Sequence, residues 1–299
     1  MPELPEVETI KLGLARLITG KTISKVRSNN PKSFPNTDVD VKRFLLGSKI
    51  RVVDRRGKAL IIDLDSGYSL LIHLKMTGQL VYDDNHVHFG AGHPTDSLIS
   101  KLPDKSTRVV IGFSDKSKLY FNDQRKFGWM RLHPSAAIGD LSFFKRLGPE
   151  PLSTDFSWQE LRDRLSLRPR SPIKAVLLDQ GIIAGIGNIY ADESLWGAKI
   201  HPATPVSALK DSDYKRLHKS LLEILKLSLD QGGSTDRTYV DAEGKKGNYL
   251  QFARVFRRQG KPCPRCGRAI IKIRLAGRGT HLCPNCQKPK STKPGGAYN

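Results

Sequence analysis

The stretch Leu147-Gly148-Pro149-Glu150-Pro151 divides the 299-residue sequence into two parts with different patterns of apolar residues. Two prolines and a glycine in so short a stretch are typical of a hinge or linker. Before it, short runs rich in branched residues follow one another closely, which predicts an antiparallel β-sandwich or barrel. After it, apolar residues recur about every 3.6 positions, which predicts helices. This contrast predicts an α+β protein with several domains.

The composition along the chain suggests where these domains begin and end. We expect a β-sandwich domain over 1–147, a hinge over 148–155 and a helical domain over 156–255. A metal-binding ribbon is expected over 256–288 and a disordered tail over 289–299, because the tail is rich in Lys, Pro, Gly and Ser.

Individual elements can be predicted from the same patterns. A helix is expected near the start of the chain, where Val7, Ile10 and Leu14 share one face between Pro5 and Gly20. The predicted strands are Thr22–Val26, Ile50–Asp54, Ala59–Leu64, Ser69–Met76, Arg108–Phe113, Lys118–Phe121 and Gly128–Leu132. The predicted helices after the hinge are Trp158–Leu167, Ile173–Asp179, Ile189–Trp196 and Asp213–Leu229.

Residues 83–101 interrupt the strand pattern with Asn, Gly, His and Pro. Three histidines in this segment, His86, His88 and His93, raise the question of a metal site. No strand or helix pattern fixes their mutual geometry, as a metal site would require. We therefore expect a solvated loop without a metal.

The net charge of +21 is far above what solubility requires. Such a field attracts polyanions, with nucleic acid as the first expectation, ribosomal RNA as the second and an anionic membrane as the third. No run of about 18 apolar residues exists, which argues against a membrane-spanning helix. The start, Met1–Glu6, is acidic and proline-rich, unlike a signal peptide. We expect the protein to stay in the compartment where it is made.

All four cysteines occur as two C-x-x-C pairs, Cys263/Cys266 and Cys283/Cys286, with sixteen residues between the pairs. Each pair supplies two thiolates from one tight turn, and four thiolates suit a tetrahedral zinc ion. Redox chemistry or two disulfides are the alternatives. Regular spacing and the lack of other cysteines favour one structural zinc, whose closed shell leaves no position for catalysis. Strands are expected at Ala269–Ile273 and Gly277–Leu282, forming a basic zinc ribbon.

The sequence Met1-Pro2-Glu3-Leu4-Pro5-Glu6-Val7-Glu8-Thr9 resembles the N-terminal signature of formamidopyrimidine-DNA glycosylases, the Fpg/MutM branch of the Fpg/endonuclease VIII family. Leu4 favours that branch. Further similar motifs follow in the family's order, outside the insertion at 83–101 and the tail. They are His73–Gly78, Asp123–Gly128, Leu147–Leu152, Gly185–Glu193 and Ala276–His281.

The resemblance implies a fold and an activity. The fold would be an N-terminal β-sandwich with flanking helices, a helix–two-turn–helix domain and a zinc-ribbon finger. The enzyme would remove oxidised purines, such as 8-oxoguanine and formamidopyrimidines, from double-stranded DNA and then cut the abasic site by β,δ-elimination. It would be a monomer in the bacterial cytoplasm, associated with the nucleoid, with no cofactor other than the zinc ion.

The resemblance also implies a catalytic group at the start of the chain. Pro2, once Met1 is removed, would be a secondary amine that attacks the sugar C1′ and forms an iminium. Glu3 would be the general acid/base, and Glu6 a proton shuttle or a positioning residue. Acids near a helix N-terminus are also favoured by the helix dipole alone, so their presence has a purely structural explanation as well. Lys58 would lie against the phosphate next to the lesion.

The remaining implied residues bind DNA. Met76, Arg125 and Phe127 would fill the hole that the everted base leaves, and Arg125 would read the opposite cytosine. Arg237, with the residues as far as Gly247, would belong to a loop that closes over the everted base. The implied contacts to the DNA backbone or the lesion site are His73, Lys174, Asn188, the Tyr190 region and Arg278.

Some features depart from the family pattern, and two alternatives stay open. Ser106 stands in a segment where many members carry a histidine, so that one phosphate contact is lost or replaced. One alternative is an endonuclease VIII-like enzyme for oxidised pyrimidines. The other is a non-catalytic zinc-ribbon protein that binds DNA or ribosomal RNA, which fits the charge and cysteines but leaves Pro2, Glu3 and Met76 unexplained.

Overall fold

The computed structural model describes residues 2–93, 96–233 and 249–290. The chain forms two compact units. The first unit comprises Met1–Lys145 with Ser228–Tyr249, and the second comprises Arg146–Leu227 with Leu250–Asn299. The domain boundaries given above remain predictions, whereas the α+β organisation with N-terminal sheets is confirmed.

The first unit begins with helix α1, Leu4–Ile18. A proline in its first turn and a capping box at Glu3 fix its start, and Gly20, at φ +83°, follows its end. Leu4, Val7, Ile10, Leu14 and Ile18 are buried along one face, which confirms the predicted helix. Two other short helices of this unit are α2, Asp38–Asp40, which a π-helical turn at Val41–Leu45 continues, and α3, Ser142–Lys145.

Nine strands of the first unit form two antiparallel sheets. They are β1 Ile23–Ser28, β2 Ile50–Arg56, β3 Ala59–Leu64, β4 Tyr68–His73, β5 Gly78–Asp83, β6 His88–Gly92, β7 Thr107–Phe113, β8 Lys118–Asp123 and β9 Trp129–Pro134. One sheet has the order β1-β7-β8-β5-β6 and the other β2-β3-β4-β9. A single apolar cluster contains Leu14 of α1, Leu60 and Leu70 of one sheet, and Leu80 and Phe121 of the other. The predicted sandwich is confirmed.

The predicted strand Ser69–Met76 is too long, because the chain changes sheets within it. β4 ends at His73 in one sheet and β5 starts at Gly78 in the other. Lys75 has a φ of +51°, and a Cβ at Gly78 would lie 2.4 Å from the Leu74 carbonyl oxygen. This tight turn requires glycine at its end and stops the strand.

The expectation of a solvated loop over 83–101 is wrong. β6 pairs with β5, with Tyr82 opposite Phe89. Phe89 is fully buried. A Cβ on Gly13 of α1 would lie only 2.2 Å from its ring, so the close packing of the two residues requires glycine at 13. The predicted absence of a metal site stays a prediction. The ring of His88 forms a hydrogen bond with the carbonyl oxygen of Leu98 at 2.7 Å and lies 3.3 Å from the carboxylate of Asp83. The polar composition of the segment hid one aromatic residue that belongs to the core.

The second unit is helical and ends in a two-stranded ribbon. Its helices are α4 Trp158–Ser166, α5 Ile173–Leu177, α6 Asn188–Gly197, α7 Asp211–Asp230 and α8 Tyr249–Phe252, of which α7 and α8 each cross the border between the units. β10, Ile271–Leu275, and β11, Arg278–Leu282, are antiparallel, as predicted.

Three 3-10 turns, Asp96–Leu98, Ser135–Asp140 and Val206–Ala208, complete the secondary structure of the described residues. Within those same residues, no helix combines the length and apolarity needed to cross a membrane.

Candidate active site and nucleic-acid interface

The start of α1 places Pro2, Glu3 and Glu6 together in one buried turn. Glu3 is 4% exposed and Glu6 is 9% exposed. The Glu3 backbone N–H donates to Oε2 of Glu6 at 2.8 Å, which is one half of the capping box. The Glu6 carboxylate is therefore engaged in holding the backbone of Glu3. This geometry favours the positioning role of Glu6 over the proton shuttle.

Gly233 is a residue of this site that sequence reasoning missed. It lies in the first unit, at φ +87°, and a Cβ on it would lie 3.3 Å from Cγ of Glu6. Its N–H donates to the Ser228 carbonyl oxygen at 2.7 Å. A glycine here lets the chain pass directly against the Glu6 side chain.

Lys58 and His73 lie near each other at the ends of neighbouring strands. In the β3–β4 register, His73 lies opposite Ala59, which is the residue that follows Lys58. Burial first, and then the positive charges of Lys75 and Lys58, together lower the pKa of His73 to about 3. The imidazole is neutral at pH 7, and its Nδ1 accepts the Lys75 N–H at 3.0 Å. The ring proton is then on Nε2, which makes His73 a neutral hydrogen-bond donor.

Met76, Arg125 and Phe127 occupy two adjacent turns, and Met76 and Phe127 are exposed. The Arg125 guanidinium lies 4.8 Å from the Phe127 ring centroid, a cation–π distance. The Arg125 N–H donates to the Thr77 hydroxyl at 3.1 Å, which connects the turn of Met76 to that of Arg125. The three residues of the predicted wedge are thus brought together.

The carboxylate of Asp123 organises these turns from below. Asp123 is fully buried and accepts from the N–H of Gly128 at 2.7 Å and from the Thr77 hydroxyl. Buried carboxylates need such donors, and these come from both turns. Sequence reasoning noted Asp123 only as part of a motif, although an acid directly after a strand and before a tight turn is a signal for such a role.

Ser106 does not replace the missing histidine as a phosphate contact. It is 6% exposed, and its hydroxyl bonds to Ser97 at 3.0 Å and to Asp104 at 2.7 Å. The network connects the inserted segment to the start of β7. Arg237 lies outside the described residues.

In the second unit, the turn before α6 is held by Gln180, which sequence reasoning missed. Its amide nitrogen donates to the Ile186 carbonyl at 2.7 Å, and its oxygen accepts the Gly185 N–H at 3.0 Å. Gly187 is the N-cap of α6 and supplies no side-chain cap. This ten-residue helix therefore has no side-chain cap, and a helix N-terminus favours an anion.

Asn188 lies at the same helix end and faces the ribbon. Its Nδ2 donates to the Gly279 carbonyl at 3.0 Å, whereas its buried Oδ1 has no partner within the described residues. A pocket of 410 Å³ adjoins it, which is basic because Arg257 and Lys272 line it. Arg278, at the start of β11, is exposed. Tyr190 is fully buried, so only the backbone of its region can meet DNA.

The prediction that Lys174 contacts the DNA backbone or the lesion is corrected by its burial. Lys174 is 1% exposed, and its ammonium is 2.6 Å from Asp192 and 2.7 Å from the Thr280 hydroxyl. Asp192 also accepts the His281 N–H at 2.9 Å. Lys174 therefore fixes the ribbon hairpin against α6, and a phosphate cannot reach its charge.

Glu193 and Trp196 are further residues of α6 that sequence reasoning missed. Glu193 is fully buried and accepts the backbone N–H groups of Arg254, Val255 and Phe256 at 2.8–3.1 Å, while burial raises its pKa. The indole N–H of Trp196 points to Sγ of Cys263 at 3.4 Å. Three residues of α6 thus hold different parts of this region: Asp192 the ribbon hairpin, Glu193 the backbone at 254–256, and Trp196 the sulfur of Cys263.

The four cysteines fit a zinc ion. Their Sγ atoms all lie within 4.8 Å of one another. Cys263 and Cys286 are 4.0 Å apart and Cys266 and Cys283 3.5 Å, close to the edge of about 3.8 Å that follows from Zn–S bonds of about 2.3 Å. All four cysteines are free, and neither separation approaches the disulfide bond length of about 2.05 Å. Burial and the three neighbouring sulfurs raise the pKa of Cys286 to about 12, so a cation is needed to hold this sulfur as a thiolate beside the others.

Three family descriptions match the chain in order. The formamidopyrimidine-DNA glycosylase N-terminal domain matches residues 1–130, and the H2TH domain of the same enzymes matches 147–240. The zinc finger found in FPG and IleRS matches 260–289. Together with the sulfur geometry, the third match establishes one structural zinc ion.

Relatives and solved structures agree over the full length. The chain is 42% identical to a formamidopyrimidine-DNA glycosylase of Exiguobacterium sibiricum, covering 96% of this chain and 99% of the relative. For one from Streptococcus pyogenes the identity is 41%, covering 97% and 100%. The Lactococcus lactis Fpg in complex with abasic-site DNA superposes with a TM-score of 0.84 at 35% identity, covering 96% and 99%. The MutM (FPG) protein of Thermus thermophilus gives 0.81 at 36%, covering 97% and 100%. The chain belongs to the formamidopyrimidine-DNA glycosylase family.

Proposed function

We propose that this protein is a bifunctional DNA glycosylase and abasic-site lyase that removes oxidised purines from double-stranded DNA. The observation that carries the proposal is the buried turn at the start of α1. In it Pro2 directly precedes Glu3, and the carboxylates of Glu3 and Glu6 form the capping box of the helix. Solved relatives were captured with DNA containing Fapy-dG and with DNA containing carbocyclic 8-oxo-G, which supports the same substrates here. The relatives are bacterial, so the site of action would be the cytoplasm, where bacterial DNA lies.

The chemistry begins at the Pro2 nitrogen once Met1 is removed. An α-amino group has an ordinary pKa of about 8, so part of it is neutral at pH 7. The nitrogen bonds to C1′ while the bond from C1′ to the damaged base breaks, and opening of the sugar leaves an iminium. Glu3 moves the protons that these steps require. The iminium makes loss of a C2′ proton possible, and the 3′ and then the 5′ phosphate leave.

Two sets of residues would hold the DNA. Lys58 and the neutral His73 supply a cation and a hydrogen-bond donor to phosphates in the first unit. The N-terminus of α6, with Asn188 and Arg278, would supply the same groups in the second unit. Both sets bind the backbone and carry no sequence preference. Arg237 remains a proposed part of the loop over the everted base.

The exposed residues Met76, Arg125 and Phe127 would replace the everted base in the stack. The cation–π contact between Arg125 and Phe127 keeps both side chains in one place before DNA binds. The zinc ion, held by the four cysteines, stabilises the ribbon that carries Arg278 and takes no part in the reaction.

Borohydride trapping on duplex DNA with 8-oxoguanine opposite cytosine tests the proposal. Reduction of the iminium must link the protein to DNA, and Pro2→Gly must give strongly reduced adduct. Mass spectrometry of the adduct must place the link on residue 2. No adduct with the parent protein, or an undiminished one with Pro2→Gly, would overturn the mechanism. Parallel duplexes with an oxidised pyrimidine test the endonuclease VIII-like alternative.

A further inference from the structure

The C-terminal end of α6 and one face of α7 line a second pocket, of 500 Å³, in the second unit. Nothing in the reaction above uses it. It shares no lining residue with the pocket at Asn188. The two lie at opposite ends of α6, which at 1.5 Å per residue is about 13 Å from Asn188 to Gly197.

The charge of this pocket is strongly positive. Its lining contains Arg216, Lys219, Arg254 and Arg265 but a single acid, Glu223. Glu223 lies 3.9 Å from Lys219, and both side chains are exposed, so this pair is weak. Arg216 is already paired with Asp213, so an anion entering the pocket would meet the charges of Lys219, Arg254 and Arg265.

The guanidinium groups of Arg254 and Arg265 lie over the ring of Trp196, with carbons 5.7 Å and 4.0 Å from its centroid. Arg265 also donates to the Trp196 carbonyl at 3.1 Å. Within the described residues, neither guanidinium forms an ion pair with a carboxylate. The Trp196 ring and the helix end hold Arg265 in place without neutralising its charge.

An apolar wall completes the pocket. Ile224 and Leu227, three residues apart on α7, share one face of that helix and line the pocket; Ile224 is 4% exposed, so the half-buried Leu227 supplies most of the accessible apolar surface. A DNA backbone offers phosphates and the short CH groups of its sugars, but no long apolar side chain. A peptide with acidic residues around one apolar side chain offers both negative charge and such a side chain.

We infer that this pocket binds an acidic peptide segment of a partner protein, with an apolar side chain against Ile224 and Leu227. Carboxylates on both sides of that side chain would face Lys219, Arg254 and Arg265. The cations are at the protein surface, so binding must weaken as salt is added. The pocket would recruit a partner while the other end of α6 holds DNA.

Fluorescence anisotropy with the full-length protein tests the inference. The probe is the fluorescein-labelled, amidated peptide Gly-Asp-Asp-Leu-Asp-Asp-Gly. Two matched probes replace all four aspartates by asparagine, or the leucine by serine. The parent protein should bind the first probe about tenfold more tightly than the asparagine probe and clearly more tightly than the serine probe, a tenfold change being about 1.4 kcal/mol. Equal binding of all three probes would overturn the proposal.

Protein variants locate the binding site. The double variant Lys219→Gln/Arg254→Gln should bind the first probe about fivefold more weakly, a change of about 1 kcal/mol. The control Lys226→Gln removes an exposed cation of α7 outside the pocket and should leave binding unchanged. Undamaged duplex DNA is titrated in parallel. If its affinity falls as much as that of the peptide, the pocket is a nucleic-acid surface and the proposal fails.

Discussion

Helix α1 of the first unit and helix α6 of the second unit differ in how their N-termini are capped. The start of α1 is closed by the protein's own carboxylates, since Glu6 accepts the Glu3 N–H in a capping box. The start of α6 has Gly187 as its cap and no side-chain cap. Helix N-termini favour negative charge in both cases. At the first end a carboxylate of the protein itself takes this position, whereas under the proposed function a phosphate of the DNA would take it at the second.

The largest effect is expected at the closed end, where Glu3→Gln removes the proton-transfer group and keeps its size. Base excision in single-turnover assays should slow by about 10³-fold, within the usual range for general acid–base catalysis. Affinity for abasic-site DNA, measured by anisotropy, should stay the same. Excision at an unchanged rate would show that α1 is capped for stability alone.

The next largest effect is expected at the ion pair between Lys174 and Asp192 of α6. Lys174→Met should lower the free energy of unfolding of the second unit by about 3 kcal/mol, because it leaves the buried Asp192 carboxylate without its cation. Chemical denaturation measures the loss. The double variant Lys174→Met/Asp192→Asn serves as the control and should recover part of it. Additive losses would contradict the assignment of the pair as one structural unit.

The variant Gly187→Asp tests whether the N-terminus of α6 binds a phosphate, because it adds the side-chain cap that this helix lacks. The carboxylate would bond to the first N–H groups and repel phosphate, so affinity for abasic-site DNA should fall about tenfold below that of Gly187→Ala. The alanine variant controls for the added carbon. Equal affinities of the two variants would mean that no phosphate binds at this end.

The smallest effect concerns Glu6, whose bond to Glu3 closes the first end. Glu6→Ala should lower the free energy of unfolding by about 1 kcal/mol, as the loss of a cap does. Glu6→Gln keeps an acceptor oxygen and should lose much less. Thermal melts of the three proteins give the order. If glutamine is as harmful as alanine in both stability and excision, the charge of Glu6 matters more than its hydrogen bond.

The sequence predicted well those features that depend on local pattern. Apolar spacing predicted α1, and the paired cysteines predicted the zinc site, because ligand type and spacing largely determine such a site. The position of β6 could not be predicted, since His, Asn and Gly outweigh the single Phe89 in composition. Burial decides the role of Lys174, and burial is set by the packing of α6 and the ribbon, which no local pattern records.

The buried acids of α6 were missed for the same reason. Asp192 and Glu193 are fully buried side by side in a helix, where charged residues are usually exposed. Their partners, His281 and the backbone at 254–256, lie far away in sequence. The resemblance to the family identified motifs but could not say which charged members of a motif face inward.

The contact between Gly13 and Phe89 also constrains how this protein can evolve. The ring of Phe89 occupies the space beside α1 that any side chain at 13 would need. A mutation of Gly13 is therefore harmful while Phe89 is present, but it becomes tolerable once residue 89 is small. Mutational paths through this pair have a preferred order, in which residue 89 of the inserted strand changes before residue 13 of α1. A strand that interrupts the sequence pattern thus determines which changes the first helix can accept.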